Sequence, residues 1–230
     1  MDDYILKVKN LSVSFNGDKT IDDLSFDLKN KDNLIVVGPN GAGKSVLLKA
    51  LLGIIPFSGE IKWREGLKVS YFPQNFFPAK EIPLSVKEFF NFKKVSKNKI
   101  EEALRSVGLD DMSILGKKIG FLSMGQFQRM MIAWSLVDDP HILLFDEPTS
   151  GIDIGGEETI YNLLSGIEKK INLTMILITH DLNIVYKFAD SVLCLNKKAL
   201  CYGAPQKALS PESLHKLYGG EMKFYQHKHD

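Results

Sequence analysis

The segment Gly38-Pro39-Asn40-Gly41-Ala42-Gly43-Lys44-Ser45 constrains the fold more than any other part of this 230-residue chain. It follows a continuous apolar run, Leu34-Ile35-Val36-Val37, of the kind buried on both faces in a parallel sheet. It precedes Val46 to Leu52, whose pattern reads as a helix stopping at Gly53. Strand, glycine loop and helix in that order make an anion cradle. The glycines let the backbone curl so that successive N–H groups face one phosphate. Lys44 reaches the outer phosphates, the Ser45 hydroxyl is a hard ligand for Mg²⁺, and the helix adds its positive dipole end. The plain alternative, a glycine-rich turn with an exposed lysine, leaves the flanking strand and helix unexplained.

Ile142-Leu143-Leu144-Phe145-Asp146-Glu147 supplies a second buried strand with carboxylates at its carboxyl end, where open α/β sheets bind ligands. Asp146 suits a Mg²⁺ held near the phosphates. Glu147 suits the base or orienting group that an attacking water needs. Taken alone, each is also a common surface carboxylate. Further buried-strand runs occur at 174–178 and 192–195, with helical patterns near 156–170 and 181–189, so strands alternate with helices in the manner of a parallel sheet.

Two other regions break that alternation. In the first 30 residues Leu24, Phe26 and Leu28 alternate with polar neighbours, which predicts a half-buried antiparallel sheet. Residues 78–138 are helical and punctuated by Pro and Lys. Ser85-Val86-Lys87-Glu88 opens one helix as a capping box, Gly108 ends another, and Ser123-Met124-Gly125-Gln126 opens a third. We therefore expect an α/β core at 1–77 and 139–205 with an antiparallel part, a helical subdomain at 78–138, and a terminal helix and tail at 206–230. Ser210-Pro211 starts that helix and Gly219 stops it.

Composition narrows the class. Twenty-nine basic and 28 acidic residues leave a net charge of +1, without the electrostatic footprint of a dedicated nucleic-acid binder. The acidic start Met1-Asp2-Asp3-Tyr4 lacks the basic end and apolar block of a secretory signal, so a cytosolic protein is expected. The longest uncharged apolar stretches, 50–59 and 130–137, are far short of the roughly 20 residues a spanning helix needs. Cys194 and Cys201 are too few for a disulfide framework and are read as reduced, buried thiols. Their symmetric placement about Lys197-Lys198 also allows a redox-labile cross-strand pair in a tight hairpin.

Together these residues resemble the nucleotide-binding subunit of ABC transporters over nearly the whole chain. The matches run in the family's order: Phe15 where an aromatic stacks on adenine, the loop 38–45 with Val46, Gln74 in Phe72-Pro73-Gln74-Asn75, and the signature Leu122-Ser123-Met124-Gly125-Gln126. Asp146 and Glu147, the D-loop Ser150-Gly151-Ile152-Asp153, and His180 follow. The resemblance implies a P-loop NTPase (RecA-like) α/β core with an antiparallel β subdomain and an inserted α-helical subdomain. It implies ATP as substrate and Mg²⁺ held through Ser45, Gln74 and Asp146, with Gln74 coupling the site to the helical part. It further implies Glu147 and His180 acting on the attacking water, and a head-to-tail homodimer in which each signature helix contacts the ATP of its partner. Met124 departs from the glycine commonest at that position. Phe15, His180 and Gln74 would each, in isolation, be read as structural or solvent-facing.

The same resemblance implies a separate integral membrane permease, docked in a groove for which Phe76, Phe77, Phe89 and Phe90 are candidates, unless they pack the interior. It also implies an extracytoplasmic metal-binding protein acting indirectly, no nucleic acid, and a position on the cytoplasmic face of the membrane. The segment 146–157, Gly125 to Arg129 and the end of the chain look like the ATPases of zinc, manganese and iron(II) importers. His227, His229 and Asp230 in the tail are candidate ligands for a divalent metal. A non-transport ABC ATPase of DNA repair or the ribosome is the competing reading. Such relatives carry a long coiled-coil insertion or tandem cassettes, whereas fewer than 80 residues separate Ser45 from Leu122 here. A simple P-loop kinase would leave the signature, the D-loop and His180 unexplained.

Overall fold

The computed structural model describes residues 3–74, 80, 82–149 and 154–219. Among them, β1 (Tyr4–Phe15), β2 (Asp18–Lys29) and β4 (Ser58–Trp63) form an antiparallel sheet in the order β2-β1-β4. A second sheet runs β5 (Val69–Phe72), β6 (Ile142–Asp146), β7 (Thr174–Ile178), β3 (Asn33–Val37), β8 (Ser191–Asn196) and β9 (Lys198–Gly203). Its first five strands are parallel, and β9 closes the edge antiparallel to β8.

The parallel strands are apolar throughout because both of their faces are covered. Leu34, Val36, Leu144, Ile176 and Leu193 pack with the antiparallel sheet and with Leu47 and Leu48 of α1 (Lys44–Leu51). Their neighbours Ile35, Val37, Leu143, Phe145 and Leu177 point the other way, toward the helices. One-residue alternation of side chains therefore divides a single sheet between two cores. The expected alternation of Leu24, Phe26 and Leu28 is present, all three being buried in the first core.

Between β5 and β6 lie α2 (Val86–Asn91), α3 (Lys97–Ser106), two short 3₁₀ turns (Met112–Gly116 and Ile119–Phe121) and α4 (Met124–Leu136). Local chemistry sets their ends. Ser85 and Glu88 form a reciprocal capping box at α2, and Ser123 and Gln126 form another at α4. After α3 the chain turns at Gly108 with φ 74°, a left-handed conformation that favours glycine. Phe90, Ile100, Leu104, Phe127 and Met130 bury themselves on the same side of the sheet as Phe72 and Phe145. The helical insertion thus shares its core with the sheet. Of the groove candidates, Phe90 is fully buried in the interior, whereas Phe89 is half-buried, packing on Trp134 at 5.3 Å between ring centroids and edge-on to the exposed Phe92. Phe76 and Phe77 lie outside the described residues.

The rest of the chain covers the sheet with α5 (Ile154–Ile171), α6 (Leu182–Phe188), α7 (Pro205–Ala208) and α8 (Pro211–Tyr218). Ser210 caps α8 through the amide of Ser213, Pro211 is its first residue, and Gly219 ends it. Among the described residues no helix is long and apolar enough to cross a membrane.

The reading of Cys194 and Cys201 as reduced thiols is corrected: the two are joined by a disulfide. The turn closes on Lys197, which takes φ 58°, with Asn196 opposite Lys198 and Leu195 opposite Ala199. Leu200 then bulges, restoring Cys194 opposite Cys201 with Cα atoms 4.9 Å apart, within the span a disulfide bridges.

Candidate active site

The carboxyl ends of β3, β6 and β7 converge where the glycine loop turns into α1. Gly43 precedes the helix with φ 98°, and a Cβ there would lie 2.9 Å from the Thr20 carbonyl oxygen. Gly41 takes φ 78°. Gly38 is excluded from substitution by packing: a Cβ would overlap the carbonyl oxygen of Leu195 on β8. The β8–β9 turn braces the loop again, since the Lys197 amide donates to the Ala42 carbonyl at 3.1 Å and the Lys197 carbonyl accepts from the Asp22 amide at 2.8 Å.

Lys44 is buried, and its ammonium donates to the carbonyls of Gly38 (2.8 Å) and Pro39 (3.0 Å). Burial pulls its pKa down, while the nearby charges of Glu147 and Asp146 oppose that pull. The ammonium is therefore kept beside the loop it would share with an anion. α1 has no acidic residue in its first turn and no side-chain cap at Gly43, so the positive end of the helix is left for a ligand.

Asp146 is only 2% exposed. Its carboxylate accepts from the Ser45 hydroxyl at 2.9 Å and from the Tyr71 hydroxyl at 3.2 Å. Burial raises its pKa above the usual carboxylate value, those two bonds partly offset the rise, and the charge of Glu147 adds to it. Tyr71 is shifted upward by burial and by Asp146, so it remains a donor. A hydroxyl and a buried carboxylate in contact form a hard oxygen set of the kind Mg²⁺ takes, and a cation would relieve the buried charge.

Glu147 follows β6 with φ 48°, and its amide donates to the Ile178 carbonyl, which fixes the chain where it leaves the sheet. Its carboxylate accepts from the Gln74 amide at 2.7 Å. His180 is exposed just beyond β7. A buried hydroxyl network links the loops carrying these two residues. The Tyr161 hydroxyl donates to Thr179 Oγ1 at 3.2 Å and shares a 3.2 Å bond with Thr149 Oγ1, while Thr179 also accepts from the Asp181 amide.

Sequence reasoning thus placed Gly38 to Val46, Gln74, Asp146 and Glu147 in one locality, and the structure brings them together. It did not find Tyr71, Tyr161 or the bracing by Leu195 and Lys197. The one available signal for Tyr71 was a hydroxyl on the short strand leading into Gln74. Phe15, whose alternative was core packing, is 45% exposed at the end of β1. On α4, Ser123 accepts from the Gln126 amide and the Gln126 side chain accepts from the Ser123 amide, leaving the next amides, Met124 and Gly125, without helical acceptors. Met124 is 40% exposed, and a Cβ on Gly125 would meet no atom of the described residues within 4 Å. Among the described residues, none requires glycine there. Asp153 with the rest of the D-loop, and His227, His229 and Asp230, lie outside the described residues.

Residues 21–150 match the family model described as ABC transporter. The zinc import ATP-binding protein ZnuC of Wigglesworthia glossinidia brevipalpis is 36% identical, covering 98% of this chain and 99% of its own length. The protein of the same name from Rickettsia conorii is 35% identical, covering 98% and 97%. A solved structure of a metal-chelate type ABC transporter in an inward-facing conformation superposes with a TM-score of 0.81 at 29% identity, covering 94% of this chain and 88% of that one.

Proposed function

The chain belongs to the ABC transporter family, and from that premise we propose that it hydrolyses ATP to power zinc import through a separate membrane permease. ATP hydrolysis coupled to transport is the family activity. The choice of zinc among divalent metals is supported by full-length relatives that carry that name. The observation that carries the site assignment is the continuous hydrogen-bonded set joining Ser45, Asp146 and Tyr71, with Gln74 holding Glu147 beside it.

In this reading the loop amides and the amino end of α1 receive the phosphates, and Lys44 exchanges the Gly38 and Pro39 carbonyls for phosphate oxygens. Ser45 and Asp146, with Gln74, would hold Mg²⁺, which when bound would neutralise charge on the outer phosphates. Glu147 takes the proton of the attacking water, and the Gln74 amide fixes its orientation. His180 faces the outermost phosphate, and Tyr161 positions its loop through Thr179. Phe15 offers an exposed ring for the base.

The signature helix completes the site in a second copy of the chain. Its free amino-end amides and the unconstrained Gly125 suit an anion brought by a partner, with Asp153 on the dimer seam. ATP then closes two composite sites and hydrolysis reopens them, a population shift that the permease converts into transport. The assembly sits on the cytoplasmic face, supplied by an extracytoplasmic metal-binding protein.

Vesicles reconstituted with the permease test the assignment. ATP-dependent uptake of ⁶⁵Zn²⁺ exceeding that of Mn²⁺ and Fe²⁺ at equal concentration is expected. Zinc-independent transport of another solute would overturn the substrate while leaving the ATPase intact.

A further inference from the structure

We propose that Cys194 and Cys201 form a thiol–disulfide exchange site whose oxidation state sets how tightly the phosphate loop holds nucleotide. The inference rests on the reading of residues 38–45 as that loop. The hairpin carrying the disulfide is the outer wall of the loop. Cys194 pairs with Val37, the last residue of β3 before Gly38. The next residue, Leu195, places its carbonyl against Gly38, and the turn residue Lys197 donates its amide to Ala42 and accepts from Asp22. Only Leu195 and Asn196 therefore separate Cys194 of the cross-link from the Lys197 amide that holds the loop.

The bulge at Leu200 makes this a built position. Without the extra residue, the Lys197-centred turn would place Leu200 opposite Cys194. The two sulfurs also differ in access: Cys194 is fully buried on the interior strand β8, and Cys201 is half-buried on the edge strand β9. An incoming thiolate therefore attacks Cys201 Sγ, the Cys194 sulfur leaves, and a second thiol resolves the mixed disulfide. In the oxidising direction, two cysteine thiols and one small-molecule disulfide give the protein disulfide and two small thiols, so electrons and protons balance. A disulfide in a protein with only two cysteines, placed beside a functional loop, fits redox sensing better than a structural framework.

Oxidation ties β9 to β8 next to the turn and narrows the motion of the Lys197 amide, keeping Ala42 in place. Reduction frees the edge strand and loosens that hold. The expected coupling is about fivefold, at the low end of ordinary allosteric effects.

The test equilibrates the full chain with reduced or oxidised dithiothreitol and reads the thiol state by alkylation and intact mass. The Kd for a fluorescent ATP analogue is then measured in each state, alongside Cys201→Ser and Cys194→Ala. The oxidised wild type is expected to bind about fivefold tighter, with no redox dependence in either variant. Equal or weaker binding by the oxidised form overturns the proposal. So does a redox dependence that survives in both variants, or two alkylatable thiols under oxidising conditions. Loss of nucleotide binding in every form, the variants included, would overturn the phosphate-loop reading itself.

Discussion

Gln74 Nε2 donates to Glu147 Oε2 at 2.7 Å, joining the second residue past β5 to the first residue past β6. The bond holds the carboxylate in one orientation from outside its own strand. Gln74→Ala is expected to lower kcat by about 10²-fold with the affinity for ATP nearly unchanged, because orientation of the base matters only in the chemical step. Steady-state kinetics combined with nucleotide titration separate the two effects. A loss confined to binding would remove Gln74 from the catalytic account.

The loop glycines separate packing from backbone strain. Gly38→Ala forces a methyl group into the Leu195 carbonyl and is expected to destabilise the fold by about 3 kcal/mol or more and to abolish ATP binding. Gly41→Ala meets no atom of the described residues within 4 Å and bears only a left-handed backbone, a cost of about 1 kcal/mol, or roughly 2–4 °C in Tm. Thermal unfolding of the two variants without nucleotide measures the difference.

That contrast shows what was legible in the sequence. The loop, both capping boxes, the Gly108 stop and the Ser210-Pro211 start could be read because each is a bond or a dihedral within a few residues. Leu195 against Gly38, Tyr71 on Asp146 and Tyr161 between two loops could not. They join residues brought together only by strand order, and no local pattern encodes that. The bulge at Leu200 stayed hidden for a related reason: a symmetric two-residue turn and a tighter turn plus bulge give the same Cys194–Cys201 pairing. The signature segment was legible as a helix cap, while its anion-binding role came from resemblance.

Asp146 yields a pH prediction. Burial raises its pKa above 3.8, so the folded chain binds that proton more tightly than the unfolded chain does. Its contribution to stability therefore falls as pH rises from the ordinary value through the raised one, and stays level above it. Asp146→Asn is expected to melt above the wild type at pH 7 without Mg²⁺, a gain that vanishes in acid below that window. Adding Mg²⁺ and ATP should stabilise the wild type and leave the variant unchanged. A variant that melts lower at pH 7 would contradict this account of the buried carboxylate.

Among the described residues nothing lies within 4 Å of a Cβ built on Gly125, which sits in the first turn of α4, where alanine is the better helix former by roughly 1 kcal/mol. Gly125→Ala is expected to leave the monomer as stable as the wild type or slightly more so, and to lower ATPase activity at least tenfold. Differential scanning fluorimetry and phosphate release test the two halves separately. Loss of stability together with activity would return Gly125 to an ordinary structural role.

The central claim is that two chains close on ATP and that Glu147 then drives hydrolysis. Sedimentation of the full-length Glu147→Gln variant with saturating Mg²⁺ and ATP tests it most directly, with phosphate release followed in parallel. The account predicts a species of twice the monomer mass that requires ATP, with hydrolysis reduced by about 10²-fold or more. A variant that stays monomeric at saturating ATP and hydrolyses it at the wild-type rate would contradict it.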